Sequence, residues 1–76
     1  MSQLDKLKAR ISRRPPRASF NDVRTLLGAY GWTKARQSGS HVTFTKPGEL
    51  PIGVPLTGGR WVSRVYIDQI CQRLGL

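Results

Sequence analysis

Apolar side chains recur at helical spacing in three places along the chain. Leu4, Leu7 and Ile11 predict a short amphipathic helix over residues 3–12, which Pro15-Pro16 stops. Phe20, Val23, Leu27 and Tyr30 form a second stripe, with Leu26 beside it, and predict a helix over 20–30. Ser19 is suited to cap it, Asp22 complements the dipole in its first turn, and Gly31 is a natural C-terminal stop. Tyr66, Ile67, Ile70, Cys71 and Leu74 mark the last helix, with Ser63 as its cap and Gly75 as its end.

Between the second and third stripes the period falls to two. Residues 32–37 are the first strand candidate, and Ser38-Gly39 has turn chemistry. Residues 40–46 read as a second strand, with Val42 and Phe44 on one face and His41, Thr43 and Thr45 on the other. Lys46-Pro47-Gly48 is a turn. Ile52, Val54 and Leu56 mark a third strand, which Pro51 and Pro55 assign to a sheet edge, and Thr57-Gly58-Gly59 ends it. The order is helix, three strands, helix. Residues 1–18 precede it as an extension, and 19–76 form the domain.

At 76 residues the chain suffices for one small domain with a thin core. That length argues against a multidomain enzyme or a large cofactor cleft. One cysteine excludes an internal disulfide, and Cys71 with His41 cannot make a tetrahedral cysteine–histidine zinc site. No cofactor or metal is expected. No apolar run reaches the ~18 residues of a membrane span, and no apolar leader segment is present, so the expected location is the cytoplasm.

Charge narrows the partner. Thirteen lysines and arginines against four acids give +9, which points to a polyanion or an acidic protein. The extension is especially basic, with Lys6, Lys8, Arg10, Arg13, Arg14 and Arg17 against Asp5. A terminal charge run favours a solvated, partly disordered tail; the alternative is an arm gripping phosphates or an acidic partner.

Gly39-Ser40-His41 followed by Val42 and Phe44 supplies the most specific signal. A helix ending in Tyr30-Gly31-Trp32 precedes it; a Pro-Gly turn, Val54-Pro55-Leu56, Gly58-Gly59 and a helix ending Leu74-Gly75-Leu76 follow. This joint order resembles the HicA toxins of bacterial HicBA toxin–antitoxin systems, the YcfA-like family, over residues 20–76. The resemblance implies a double-stranded-RNA-binding-domain-like α+β fold, a three-stranded antiparallel sheet with two helices on one face. It implies a metal-independent endoribonuclease acting on mRNA, an mRNA interferase, with His41 as the catalytic histidine. It also implies neutralisation by a HicB-like antitoxin. Two features depart from the family: residues 1–18 are an addition, and Leu56-Thr57 stands where a polar residue or histidine often follows Val-Pro.

The chemistry is compatible with one histidine. RNA carries its own nucleophile, the 2′-hydroxyl, so an enzyme need only move protons and stabilise charge on phosphorus. Imidazole, with an unperturbed pKa of about 6.5, suits the proton transfers. His41 then serves one step, and water or another residue serves the other. Against this stands an ordinary strand histidine on a solvated face. Gly39 would let RNA backbone approach, or is a simple turn glycine; Ser40 would bond a phosphate, or merely completes the turn.

Lys34 and Arg36 share a face of the first strand by alternation, and with Lys46 they flank the hairpin, where they would bind the scissile phosphate. Arg60 and Arg64 would hold flanking phosphates near the start of the last helix. The bland reading of all five is a solvated cationic surface. Most aromatic rings belong to the core, Trp61 being the best candidate for an exposed one, and Cys71 is a buried small hydrophobe. The non-enzymatic alternatives are a basic RNA-binding module of the same fold, or a structural protein held on RNA or an acidic chain. Oligomeric state is left open.

Overall fold

The computed structural model describes residues 2–76 and contains three helices and five strands. Their order is α1 (Gln3–Ser12), β1 (Arg17–Ser19), α2 (Phe20–Ala29), β2 (Thr33–Ser38), β3 (His41–Thr45), β4 (Ile52–Pro55), β5 (Trp61–Ser63) and α3 (Arg64–Leu74). Strands β2, β3 and β4 form an antiparallel sheet in that order, so β4 is an edge as its prolines require. Val42, Phe44, Ile52 and Val54 bury one sheet face against the helices, and Phe20 of α2 meets Phe44 with ring centroids 6.1 Å apart. The fold is therefore the expected small α+β domain, with two additions.

The first addition is α1. The solvated-tail expectation is corrected here: the extension folds back and shares the core. A capping box nucleates the helix, with the Asp5 amide donating to Ser2 Oγ at 3.1 Å and the Ser2 amide donating to Asp5 Oδ2 at 3.3 Å. Leu7 and Ile11, one helical turn apart, are buried against the rest of the cluster, and Leu4 stays exposed. α1 contacts both α2 and α3. Charge alone suggested solvation; two buried apolar residues per ten outweigh it, because long cationic side chains keep their heads in water while their helix docks.

The second addition is a two-stranded sheet of β1 and β5, in which Arg17 faces Ser63, Ala18 faces Val62 and Ser19 faces Trp61. Three-residue strands leave no periodic signal, so neither was expected. The pair extends at both ends: the Phe20 amide donates to the Arg60 carbonyl at 2.8 Å, and the Arg64 amide to the Pro16 carbonyl at 3.1 Å. It fastens the start of α2 to the start of α3.

The connection between α1 and β1 is tight. Arg14 adopts a left-handed φ of +53°, a conformation costing a side-chain-bearing residue about 1–3 kcal/mol. Its guanidinium offsets this with bonds to the Ser12 carbonyl at 2.8 Å, Asp68 Oδ1 at 3.0 Å and the Leu76 carbonyl at 2.9 Å. The Arg14 carbonyl in turn accepts from Arg64 Nε at 3.0 Å. Exposed ion pairs of this type contribute little singly; together they set where α1 leaves α3.

Helix ends follow the sequence closely. α2 stops one residue short of Tyr30, and Gly31 carries the positive φ, +89°, that terminates it. Ser19 Oγ accepts the Asp22 amide as a cap should, whereas Ser63 occupies the cap position of α3 without a side-chain bond.

Two stability predictions follow from this packing. Ile11→Ala should lower unfolding free energy by about 2–4 kcal/mol in urea denaturation, since a fully buried side chain leaves a cavity. An unchanged midpoint would show that α1 is not part of the core. Burial pushes the Cys71 thiol above its ordinary value, against the lowering effect of Arg14 and with a further rise from Asp68. The native state thus keeps a proton that the unfolded chain loses first, so stability holds below the ordinary thiol range and declines above it. A Tm series from neutral to alkaline pH should show that decline, and Cys71→Ala should remove part of it.

Candidate active site

His41 is positioned by a tight hairpin. β2 and β3 are joined by Gly39-Ser40, with Ser38 and His41 as the closing pair. The turn is one residue later than expected, so the strand starts at His41 rather than Ser40. Gly39, first in the loop, has φ +59°, as a two-residue hairpin turn with glycine first demands. The Ser40 carbonyl accepts the Leu56 amide at 2.7 Å, and Leu56 is itself buried. The backbone beside His41 is thereby anchored on two sides.

Alternation turns His41 away from the core. Val42 and Phe44 are buried, and His41 is exposed on the opposite, open face of the sheet. Its cross-strand partners are Ser38 on β2 and Pro55 on β4. Thr43, two residues on, pairs with Arg36 and Gly53. Ser38, Gly53 and Pro55 are short or flat, so His41 and Arg36 rise above a shallow floor. Arg36 is the diagonal neighbour of His41, and such neighbours stand about 7–8 Å apart. The polar bonds of this hairpin run among other groups: Lys34 Nζ donates to Gln37 Oε1 at 3.2 Å, and Gln37 Nε2 to the Gly39 carbonyl at 3.1 Å.

The expectation that Lys34 and Arg36 share a face is corrected by a β-bulge. The register runs Lys34 to Phe44 and then Arg36 to Thr43, so Ala35 is an extra residue. The bulge reverses the parity of β2. Arg36 lies on the His41 face, and Lys34 falls on the face of Phe44, where it reaches Gln37, the partner of Val42. A single extra residue in an exposed strand carries no hydrophobic signature, so alternation counted in sequence could not reveal it.

The other sequence candidates separate. Lys46 lies five residues beyond His41, about 17 Å along an extended strand. Its side chain runs beside Gly31, where an added Cβ would meet Lys46 Cε at 3.4 Å. Arg64 is engaged with the Arg14 carbonyl. Arg60 sits in the short loop between Thr57 and Trp61, with its guanidinium 5.3 Å from the Trp61 ring centroid. Ser38, Thr43, Gly53 and Pro55 were not singled out as site residues. Thr43 was legible from period two, and the cross-strand partners were not, because register depends on the turn.

Electrostatics favour an anion on this molecule. The ion pairs among the described residues are Arg10–Asp22, Arg14–Asp68 and Arg73–Glu49, while Asp5 caps α1. The acids are thus all committed, and ten of the thirteen cations, Arg36 included, have no carboxylate partner. No helix among the described residues is long and apolar enough to cross a membrane.

Gly39→Val should perturb the site through the turn. A β-branched residue resists positive φ, so thermal stability should drop by the equivalent of about 1–3 kcal/mol, and the backbone amide signals of 38–41 should shift most. A spectrum changed everywhere except the hairpin would contradict the assigned turn.

Comparison with known proteins supplies one match. No curated protein and no solved structure matched the chain. A family model described as the HicA toxin of bacterial toxin–antitoxin systems matches residues 20–76, which span α2 to the end of the chain and contain His41 and its hairpin. The chain belongs to the HicA toxin family.

Proposed function

We propose that this toxin is a metal-independent endoribonuclease that cleaves mRNA on the open face of the β2–β3–β4 sheet. The observation carrying the reading is the pairing of an exposed His41 with an unpaired Arg36 over a floor of small residues. An RNA backbone laid on that floor brings a phosphate to Arg36 and the adjacent 2′-hydroxyl to His41. The imidazole takes the 2′-proton; the 2′-oxygen bonds to phosphorus, and the P–O bond to the 5′-oxygen breaks. The products are a 2′,3′-cyclic phosphate and a 5′-hydroxyl, the latter protonated by water or by the imidazolium. Arg36 holds the charge that develops on the phosphoryl oxygens. Gly39 and Ser40 keep the turn low beside the strand, and the further cations attract the polyanion from a distance.

The natural inhibitor of such a protein is a HicB-like antitoxin that presents acidic groups to the cationic surface and excludes RNA from His41. Charge complementarity supports the partner class, because the toxin's own acids are all engaged. A second reading, an RNA-binding module without catalysis, gains from the hairpin's bonding, in which no neighbour orients the imidazole.

One assay decides between them. Parent and His41→Ala are incubated with single-stranded RNA in EDTA. Loss of the general base should slow cleavage by about 10²–10⁴-fold. Cleavage by both proteins would remove His41 from the chemistry. Cleavage by neither, with salt-dependent binding by both, would establish the binding module instead.

A further inference from the structure

Trp61 holds two arginines and no acid. The Arg17 guanidinium lies 4.0 Å from the ring centroid, at stacking distance, and that of Arg60 stands off at 5.3 Å. The ring is half-buried, and β1–β5 pairing fixes its position relative to Arg17. Neither arginine is among the cations that pair with a carboxylate. Two guanidiniums gathered on one indole repel each other, and nothing among the described residues neutralises them. The arrangement offers an anion two adjacent charges, and its planar surfaces specify that anion further.

We infer that Arg17, Trp61 and Arg60 form a second nucleic-acid subsite, which stacks an unpaired base and holds the phosphates beside it. This inference rests on the proposed RNA substrate and adds where a strand leaves the His41 face. The link between the two places is short in the chain: Leu56 bonds Ser40 at the hairpin, and Thr57 bridges Trp61 in both directions, at 2.8 and 3.0 Å. Arg17 already covers one face of the indole, so the base stacks on the outer plane of that guanidinium, close to the ring, and stacking of this kind tolerates any sequence. An acidic peptide would satisfy the charge but leave the flat surfaces unused. Arg17 lies outside residues 20–76, so the subsite depends on the segment that precedes the family match.

The test is a fluorescence titration in the non-cleaving His41→Ala background. The probe is an oligouridylate of about ten nucleotides, within the range of a small domain's single-strand site. Trp32 is buried, so Trp61 dominates the change, and Trp61→Phe should abolish it. Oligouridylate should quench the emission, and inorganic polyphosphate should bind without quenching. Arg17→Ala should weaken oligouridylate binding about tenfold and reduce the salt slope by about 0.7, the share of one phosphate on a single strand. Arg17→Lys should keep the slope and still lose affinity, since it retains charge without a plane. Arg60→Ala, a loop substitution, should give the same direction of change if Arg17→Ala fails to fold.

Parental affinity and slope in Arg17→Ala and Arg60→Ala, with intact RNA binding, would overturn the subsite and leave the RNA reading standing. Equal quenching by polyphosphate would overturn base stacking. No RNA binding by the background protein, with quenching by polyglutamate, would overturn both readings in favour of a protein-docking surface.

Discussion

The molecule depends on covering one face of a three-stranded sheet. Three short strands do not hold together in water unless one face is buried. Here Val42, Phe44, Ile52 and Val54 supply that face, and helices close over it. Because side chains alternate, committing those four to the core commits His41, Thr43 and Gly53 to solvent. The exposed imidazole is thus a by-product of the same constraint that forms the core. It is also why register matters: a slip of one residue in β3 would bury His41 and expose Phe44.

The chain is too short to cover the helices in turn without help. α1 and the β1–β5 pair provide it. Leu7 and Ile11 close the cluster that Val23, Leu26, Ile67 and Cys71 form from the other helices. The β-pair then binds this extra helix to the rest through backbone bonds, which are insensitive to side-chain identity. The proposed second subsite uses the same parts, since the strand that ties the extension down also presents Arg17 to Trp61.

Much of this was legible in the sequence, and the illegible parts share a cause. Helical stripes of three or more apolar residues found α1, α2 and α3 within a residue or two of their ends, and alternation found β3 and its polar face. Gly31, Gly39 and Gly75 were recognised as chain-reversal points and all carry positive φ. The docking of α1 was missed because six cations in the extension outweighed its three apolar residues in the reading, whereas in the packing two of the three, Leu7 and Ile11, decide it. β1 and β5 were missed because three residues show no period. The candidate site was legible as His41 and its turn; its neighbours across the sheet were not, because Ser38 comes from β2 and Gly53 and Pro55 from β4, and the register joining them to β3 is set by the turn. Lys34 was assigned to the wrong face because one extra residue is invisible to a count of alternation.

That extra residue has an evolutionary consequence. With Ala35 in place, the two basic residues of β2 serve opposite surfaces, and only Arg36 accompanies His41. Deleting Ala35 would straighten β2 and leave its pairings unchanged, Lys34 with Phe44 and Arg36 with Thr43. Chains that lose or keep this position would therefore carry the same single cation over the histidine, and the bulge can come and go without altering that pair.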